Sequence, residues 1–150
     1  ELLDAAGKYF KKLMKNRPER IELEIEPMEA KVIGDVNQLR FLLENLIDEA
    51  LTVREDGVIR LQARKDNEYI RFLFTDTRRE KSVEELNQLF YPNLARMTSG
   101  EKGELRGTEY LVCKQIIRDH DEFAGRRGCR INAEPAEGGG FTVYFTIPRR

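Results

Sequence analysis

The chain has no basic excess and no long apolar run. Its 150 residues include 26 Lys plus Arg against 27 Asp plus Glu, which leaves a formal net charge of −1. A protein that follows a phosphate backbone needs surplus positive charge, so this balance argues against nucleic acid as a partner. No stretch approaches the roughly 20 apolar residues of a membrane-spanning helix, so we expect no direct membrane insertion by this segment.

Histidine and cysteine are also scarce. The chain has one His and two Cys, and Cys113 and Cys129 do not form a CxxC pair. A structural zinc site or a disulfide framework is therefore not predicted, and this usage indicates a reduced, intracellular setting. We expect a chain of this length to form one domain with a hydrophobic core that needs no disulfide or metal to stabilise it. Because the sequence opens on Glu1 rather than Met, we interpret residues 1–150 as one domain of a longer protein.

Segment 35–50 is the most informative part of the chain, because an amphipathic helix and a polar strip coincide there. Asp35 stands at its start as a candidate N-cap, and apolar residues then recur at helical spacing. These apolar residues are Leu39, Leu42, Leu43, Leu46, Ile47, Ala50 and Leu51. A polar strip runs beside them, made of Gln38, Asn45, Glu49 and Thr52. An amide and a carboxylate one turn apart, such as Asn45 and Glu49, can share a ligand.

Hydrophobic periodicity places the remaining elements. Helices are predicted over 2–14, 35–50, 82–90 and 107–120. Strands are predicted over 20–26, 30–33, 57–64, 68–75, 129–133 and 141–147, with a hairpin turn at 65–67. Ser82 and Glu85 form a capping-box pattern, and residues 93–106, which lack periodic apolar positions, are predicted to be a long functional loop. The order predicts an α+β fold, a two-layer sandwich with helices on one face of a mixed, mostly antiparallel sheet.

The element order and several motifs together resemble the ATP-binding catalytic domain of sensor histidine kinases, a member of the Bergerat-fold ATPase superfamily. The resemblance covers nearly the whole chain. The segment DVNQLRFLLENLIDEA follows the family's N-box through Asn45 to Ala50, with Glu49 in place of the second asparagine. VEELNQLFYP resembles the F-box, and the KQII segment that begins at Lys114 resembles the family's last helix, including His120.

The glycine motifs of the family are the part that departs. In the Asp-x-Gly-x-Gly motif, Asp76 is retained, but Arg78 and Glu80 replace the glycines. In the Gly-x-Gly-x-Gly motif, the glycine positions fall on Leu105, Gly107 and Glu109, so Gly107 alone remains. Side chains now stand where glycine permits close backbone approach or positive φ.

The resemblance implies ATP and Mg²⁺ as the ligands of this region. By it, Asp76 accepts a hydrogen bond from the adenine amino group, and Asn45 coordinates Mg²⁺ with Glu49 as a second candidate metal ligand. Gly107 belongs to the remaining glycine motif. Lys102 and Arg106, together with Lys114, are candidates to offset the negative charge that Glu80 and Glu109 bring near the phosphates.

Each of these residues also has a structural interpretation. Asp76 at the end of a strand is commonly a turn residue, and Asn45 and Glu49 are compatible with a solvated helix flank. His120 is interpreted as structural, at a helix end that favours a partly positive imidazole. Cys113 is interpreted as a small core residue, and Arg78 with Arg79 as solvated charge, like the arginine pairs at 126–127 and 149–150.

Three functions remain open. The leading hypothesis is a degenerate histidine kinase-like domain in which ATP and Mg²⁺ binding and phosphotransfer are weak or lost. It would act as a regulatory pseudokinase in a cytoplasmic two-component signalling protein. Its expected partners are other domains of the same protein, a dimerisation and histidine-phosphotransfer helix pair, or a response regulator. The alternatives are an active kinase domain that binds Mg-ATP through Asp76, Asn45 and Glu49, and a protein-interaction module that uses residues 93–106 without nucleotide.

Overall fold

The computed structural model describes residues 2–26, 28, 31–90, 109–124 and 129–149. Within those ranges the helices are α1 (Leu2–Met14), α2 (Val36–Ala50), α3 (Val83–Gln88) and α4 (Glu109–Ala124). The strands are β1 (Ile21–Ile25), β2 (Gly57–Asp66), β3 (Tyr69–Asp76), β4 (Ile131–Pro135) and β5 (Phe141–Pro148). Among the described helices, none combines the length and apolar character that crossing a bilayer requires.

The five strands form one mixed sheet in the order β1-β2-β3-β5-β4. β1 runs parallel to β2, and the other neighbouring pairs are antiparallel. Alternate residues of the three central strands are buried on the side that carries the core, where Phe72 stacks on Phe145 with ring centroids 4.9 Å apart. The predicted α+β sandwich is confirmed.

Helix α2 lies between α1 and α4 and contributes most of the helical side of the core. Its predicted apolar stripe is buried throughout. Asp35 is the N-cap, as predicted, because its carboxylate accepts hydrogen bonds from the backbone N–H groups of Asn37 and Gln38 at 2.9 and 3.2 Å. On the other side of α2, the Tyr9 hydroxyl of α1 donates to Asp48 at 2.6 Å.

His120 joins the start of α2 to α4. Its Nε2 accepts a hydrogen bond from the backbone N–H of Asp35 at 3.0 Å, and its Nδ1 lies 2.8 Å from the carbonyl oxygen of Ile116. Because Nε2 accepts, the proton of the ring is on Nδ1 and the imidazole is neutral. The ring is buried, and a Cβ at Gly34 would lie 2.8 Å from it, so the chain needs glycine there.

The structural role predicted for His120 is therefore supported, but its predicted setting is wrong. The helix continues to Ala124, so His120 is not at its end. The ring is held by two backbone groups rather than by attraction of a positive imidazole to a helix terminus. Cys113, as predicted, is a buried core residue.

Several predicted boundaries differ from the structure. Residue 30 of the strand predicted over 30–33 lies outside the described residues. Residues 31–33 form only an isolated bridge, between Val32 and Arg149, because Gly34 and the α2 N-cap follow at once. The β2–β3 turn is the two residues Asn67 and Glu68, with Asn67 at a φ of 55°. β2 is therefore two residues longer than predicted, and β3 begins and ends one residue later than predicted. β4 lies two residues later than the predicted strand 129–133. The predicted capping box of α3 is present.

We expect His120→Ala to lower the free energy of unfolding by about 2–4 kcal/mol. The change opens a cavity and leaves the backbone N–H of Asp35 without its acceptor. Urea unfolding followed by circular dichroism measures the difference. The matched control is Glu122→Ala in the same helix, where the side chain is exposed and the expected change is within about 0.5 kcal/mol. Equal midpoints for the two variants would contradict a structural role for the ring.

Candidate functional site

Asp76 ends the central strand β3, with β2 on one side and β5 on the other. Although it carries a carboxylate, the residue is only 1% exposed. Its backbone is held closely by Gly140, which has a φ of 85° and whose missing Cβ would collide with the carbonyl oxygen of Asp76. Only glycine fits at that approach. The position of Asp76 is thus fixed by the sheet and by the β4–β5 turn.

Arg78 holds the Asp76 carboxylate from inside the protein. Its Nε donates to Oδ1 at 2.9 Å and its Nη2 donates to Oδ2 at 2.9 Å, so the pair is bidentate. The Arg78 backbone N–H also donates to Oδ1 at 3.0 Å. The two side chains are 0% and 2% exposed. Bidentate, charge-assisted pairs of this kind are the strongest hydrogen-bonded pairs available to a carboxylate.

The remaining donors of Arg78 go to the chain that follows helix α2. Nη2 donates to the carbonyl oxygen of Ala50 at 2.6 Å, while Nη1 donates to Val53 and Glu55 at 2.9 and 3.1 Å. With the two bonds to Asp76, all five N–H groups of the guanidinium are used. The last turn of α2 has no basic residue of its own, so Arg78 adds a charged donor to its last carbonyl group, which also accepts from the Val53 N–H at 3.2 Å.

The interpretation of Arg78 as solvated charge is therefore wrong. Its side chain is buried because one guanidinium satisfies a buried carboxylate and three backbone carbonyls at once. Gly57, at a φ of 148°, makes room for its stem, since a Cβ there would lie 2.5 Å from Arg78 Cγ. The signal in the sequence was the arginine at a glycine position of the resembled motif, but no local pattern shows that it folds inward.

Asn45 and Glu49 do lie on one strip of α2, half-buried and one turn apart, as predicted. The Asn45 amide donates to the carbonyl oxygen of Phe41 at 2.8 Å. Phe41 belongs to the same strip and is 50% exposed. Asparagine amide and glutamate carboxylate oxygens are ligands that suit Mg²⁺. However, among the described residues, no three His, Cys, Asp or Glu side chains come together as a metal site.

Tyr110, near the start of α4, is a site residue that sequence reasoning missed. It is buried and meets Phe90 edge to face, with ring centroids 5.6 Å apart. Burial raises the pKa of Tyr110 above its ordinary range, the Glu49 carboxylate raises it further, and the Arg79 guanidinium lowers it. Helix α4 also packs against α2, so Tyr110 stands on the helix that joins α2 to the residues after α3. A Tyr at helical spacing is typical of a core residue, so no sequence pattern marked it as functional.

The other predicted site residues divide into two groups. Lys114 donates to the carbonyl oxygen of Phe90 at 3.2 Å, and this bond connects α4 to the residues that follow α3. Glu80 is exposed and lies beside the β4–β5 turn at Gly139. The candidates Lys102, Arg106 and Gly107, with the predicted loop 93–106, lie outside the described residues.

Adenine recognition of the kind that the resemblance implies requires an accessible acceptor on Asp76. Arg78 donates two hydrogen bonds to Oδ1 and one to Oδ2, and the Asp76 side chain is 2% exposed. A carboxylate has about four acceptor positions, so an adenine amino group would have to reach the remaining one on Oδ2 beside the guanidinium. The oxygens of Asn45 and Glu49 remain chemically suited to Mg²⁺.

Comparison with known proteins identifies the family and the fold. The family model described as "Histidine kinase-, DNA gyrase B-, and HSP90-like ATPase" matches residues 34–150. The nucleotide-free catalytic domain of the histidine kinase ThkA has a TM-score of 0.75 at 21% identity, over 99% of this chain and 91% of that domain. No curated protein sequence matches the chain.

Two larger structures contain the same fold as one of their parts. ThkA in complex with the response regulator protein TrrA has a TM-score of 0.72 at 20% identity, over 100% of this chain and 40% of that one. Full-length ShkA in complex with AMPPNP has a TM-score of 0.71 at 16% identity, over 99% and 30%. At these identities the likeness shows a shared fold.

Arg78→Ala should lower the free energy of unfolding by about 3–5 kcal/mol, because it leaves the Asp76 carboxylate buried and unpaired. The double variant Asp76→Ala with Arg78→Ala should cost less than the sum of the two single changes, because no charge is then left alone. Urea unfolding of the four proteins gives the coupling energy.

The control for this cycle is Arg60→Ala. Arg60 pairs with Glu24 at 3.0 Å, but the two side chains are 49% and 55% exposed, so the expected loss is below about 1 kcal/mol. If Arg78→Ala cost no more than Arg60→Ala, the buried pair would not be an important stabilising contact.

Proposed function

The chain belongs to the histidine kinase-, DNA gyrase B- and HSP90-like ATPase family, and we propose that it is a histidine kinase-type ATP-binding domain whose nucleotide binding is weak or lost. In this proposal it is one domain of a longer, cytoplasmic two-component signalling protein, where it has a regulatory, pseudokinase role. Its partners are then other domains of the same protein, among them a dimerisation and histidine-phosphotransfer helix pair, or a response regulator such as the one that ThkA holds in its complex.

The observation that carries this proposal is the bidentate pair between Arg78 and Asp76. In the resembled kinases, this aspartate accepts a hydrogen bond from the adenine amino group. Here the N–H groups of Arg78 already serve as donors to both carboxylate oxygens. The guanidinium therefore takes the interaction that would select adenine.

The energy of the pair sets how strongly Arg78 opposes nucleotide. Separating a buried ion pair costs about 3–5 kcal/mol. Because 1.4 kcal/mol corresponds to a tenfold change in affinity, this cost would weaken nucleotide binding by roughly two to four orders of magnitude. Displacement of Arg78 would also release the carbonyl groups of Ala50, Val53 and Glu55, so it would loosen the end of α2 as well.

The active-kinase alternative is favoured by a different observation. Asn45 and Glu49 keep their place on the α2 strip, and their side chains retain oxygen atoms that suit Mg²⁺. That function requires Arg78 to leave Asp76 when ATP binds. The interaction-module alternative is supported by Phe41, whose ring is 50% exposed on the same strip. A partner protein that covered this ring would not need nucleotide.

Calorimetric titration with ATP, with and without Mg²⁺, tests the proposal. We expect no measurable binding to the unchanged protein at millimolar ATP. Arg78→Gly should gain ATP binding, because the Asp76 oxygens become free, and addition of Asp76→Asn to that variant should remove the gain. At ATP concentrations 100 times its Kd, the variant should also gain about 2.7 kcal/mol of stability.

Arg79→Gly is the matched control. It removes the same side chain at the neighbouring position, where Arg79 makes no bond to Asp76 among the described contacts, so no ATP binding should appear. Since Arg78→Gly lowers stability, the more conservative Arg78→Lys provides a second test, because a lysine cannot hold both oxygens in a fork. Magnesium-dependent binding by the unchanged protein that Asp76→Asn abolishes would favour the active kinase. If the Arg78 variants fold but still do not bind ATP, Arg78 is not what blocks the site.

A further inference from the structure

Strand β1 forms one edge of the sheet. It pairs with β2 on one side, and in the described sheet no strand lies on its other side. An edge strand offers a row of backbone N–H and C=O groups that an extended segment can pair with.

The pairing with β2 shows which groups of β1 face this open side. Gly57 N–H donates to the Arg20 carbonyl, and Glu26 N–H donates to the Leu61 carbonyl. In a parallel pair alternate residues bond the neighbouring strand, so the even-numbered residues of β1 face β2. The backbone groups of Ile21, Leu23 and Ile25 therefore point towards the open side.

A groove runs along this open edge, between β1 and helix α1. It is lined by residues of both elements: Asp4, Gly7, Lys8, Phe10 and Lys11 of α1, and Glu22, Leu23, Glu24 and Ile25 of β1. The α1 side of the groove thus carries two lysines, whereas the β1 side carries two carboxylates and the aliphatic side chains. These aliphatic side chains, Leu23 and Ile25, are only half-buried. A Cβ at Gly7 would lie 3.1 Å from Ile25, so α1 comes close to the strand there. Apolar side chains of an added strand would remove the exposed parts of Leu23 and Ile25 from water.

The charged side chains of β1 determine which side chains of an added strand can lie opposite them. Glu22 and Glu24 are exposed on the outer face of the strand. On the β2 side, Arg60 pairs with Glu24 at 3.0 Å and Gln62 donates to Glu26 at 2.7 Å. The acidic side chains of β1 therefore already pair with basic or amide side chains of β2. Opposite charges across a strand pair stabilise it, and like charges oppose it.

The same rule disfavours a second copy of this chain as the occupant. An antiparallel pair of two β1 strands centred on Leu23 would place Glu22 of each copy opposite Glu24 of the other. Two such pairs of like charges would destabilise a five-residue strand pair.

We propose that the open edge of β1 binds an extended segment of a partner protein in which Lys or Arg alternates with aliphatic residues, as a sixth strand of the sheet. The basic side chains lie opposite Glu22 and Glu24 on the outer face. The aliphatic side chains enter the groove against Leu23 and Ile25. Backbone hydrogen bonds to Leu23 supply affinity, and the alternation supplies specificity.

A fluorescent nine-residue peptide that alternates valine and lysine is the probe, with binding followed by fluorescence anisotropy. We expect saturable binding to the unchanged protein. A peptide with glutamate in place of lysine should bind at least tenfold more weakly. The lysine peptide with N-methylated central valines should also lose at least tenfold, because it keeps its charge but cannot donate hydrogen bonds to the strand edge.

Glu22→Lys should weaken binding of the lysine peptide at least tenfold. Glu122→Lys makes the same charge change at an exposed position of α4, separated from α1 by α2, and should leave binding within about twofold. Three results would overturn the proposal: no binding at millimolar lysine peptide, equal binding of the N-methylated peptide, or equal losses in the two variants. A dimer in sedimentation experiments that Glu22→Lys alters would identify a second copy as the occupant instead.

Discussion

The five hydrogen bonds of the Arg78 guanidinium are the contact on which this structure depends most. They pair with the buried carboxylate at the end of the central strand, and they reach one carbonyl group at the end of α2 and two in the loop that follows. A charge this deeply buried is tolerated only when it is paired and hydrogen-bonded. Asp76 and Arg78 are thus tolerated inside the protein only as a pair. The loop between α2 and β2 passes around this pair.

Helix α2 is consequently held at both ends by side chains that are distant in sequence. At its start, His120 accepts from the Asp35 N–H. At its end, Arg78 and Arg17 donate to the carbonyl groups of Ala50 and Leu51, the latter at 2.8 Å. The polar strip of α2 lies between these two attachments, which keeps the strip in a fixed position beside the end of β3. Rigid support of this kind is what a binding strip needs, whatever its ligand.

How much could be predicted from the sequence depends on the range of the interactions. The Asp35 cap, the Ser82 capping box and the buried stripe of α2 arise within a few residues, so local patterns predicted them. The buried state of Arg78 arises from Ala50, Val53 and Glu55, more than twenty residues away, and Tyr110 becomes a site residue through contacts between α2 and α4. Periodicity carries no information on such contacts. The interpretation of Arg78 as solvated charge was wrong for this reason.

Replacement of a glycine by Arg78 also changes what holds the domain together. In a histidine kinase domain where the corresponding aspartate has no partner within the protein, a ligand amino group or water must donate to it. Here an internal guanidinium does so, and it also donates to the last carbonyl group of α2. Any ligand that competed for Asp76 would have to replace five hydrogen bonds while offering an amino group in exchange for one or two of them. A ligand shifts such an equilibrium only by its differential affinity for the two states. The free energy of these contacts is therefore what any ligand of Asp76 would have to exceed.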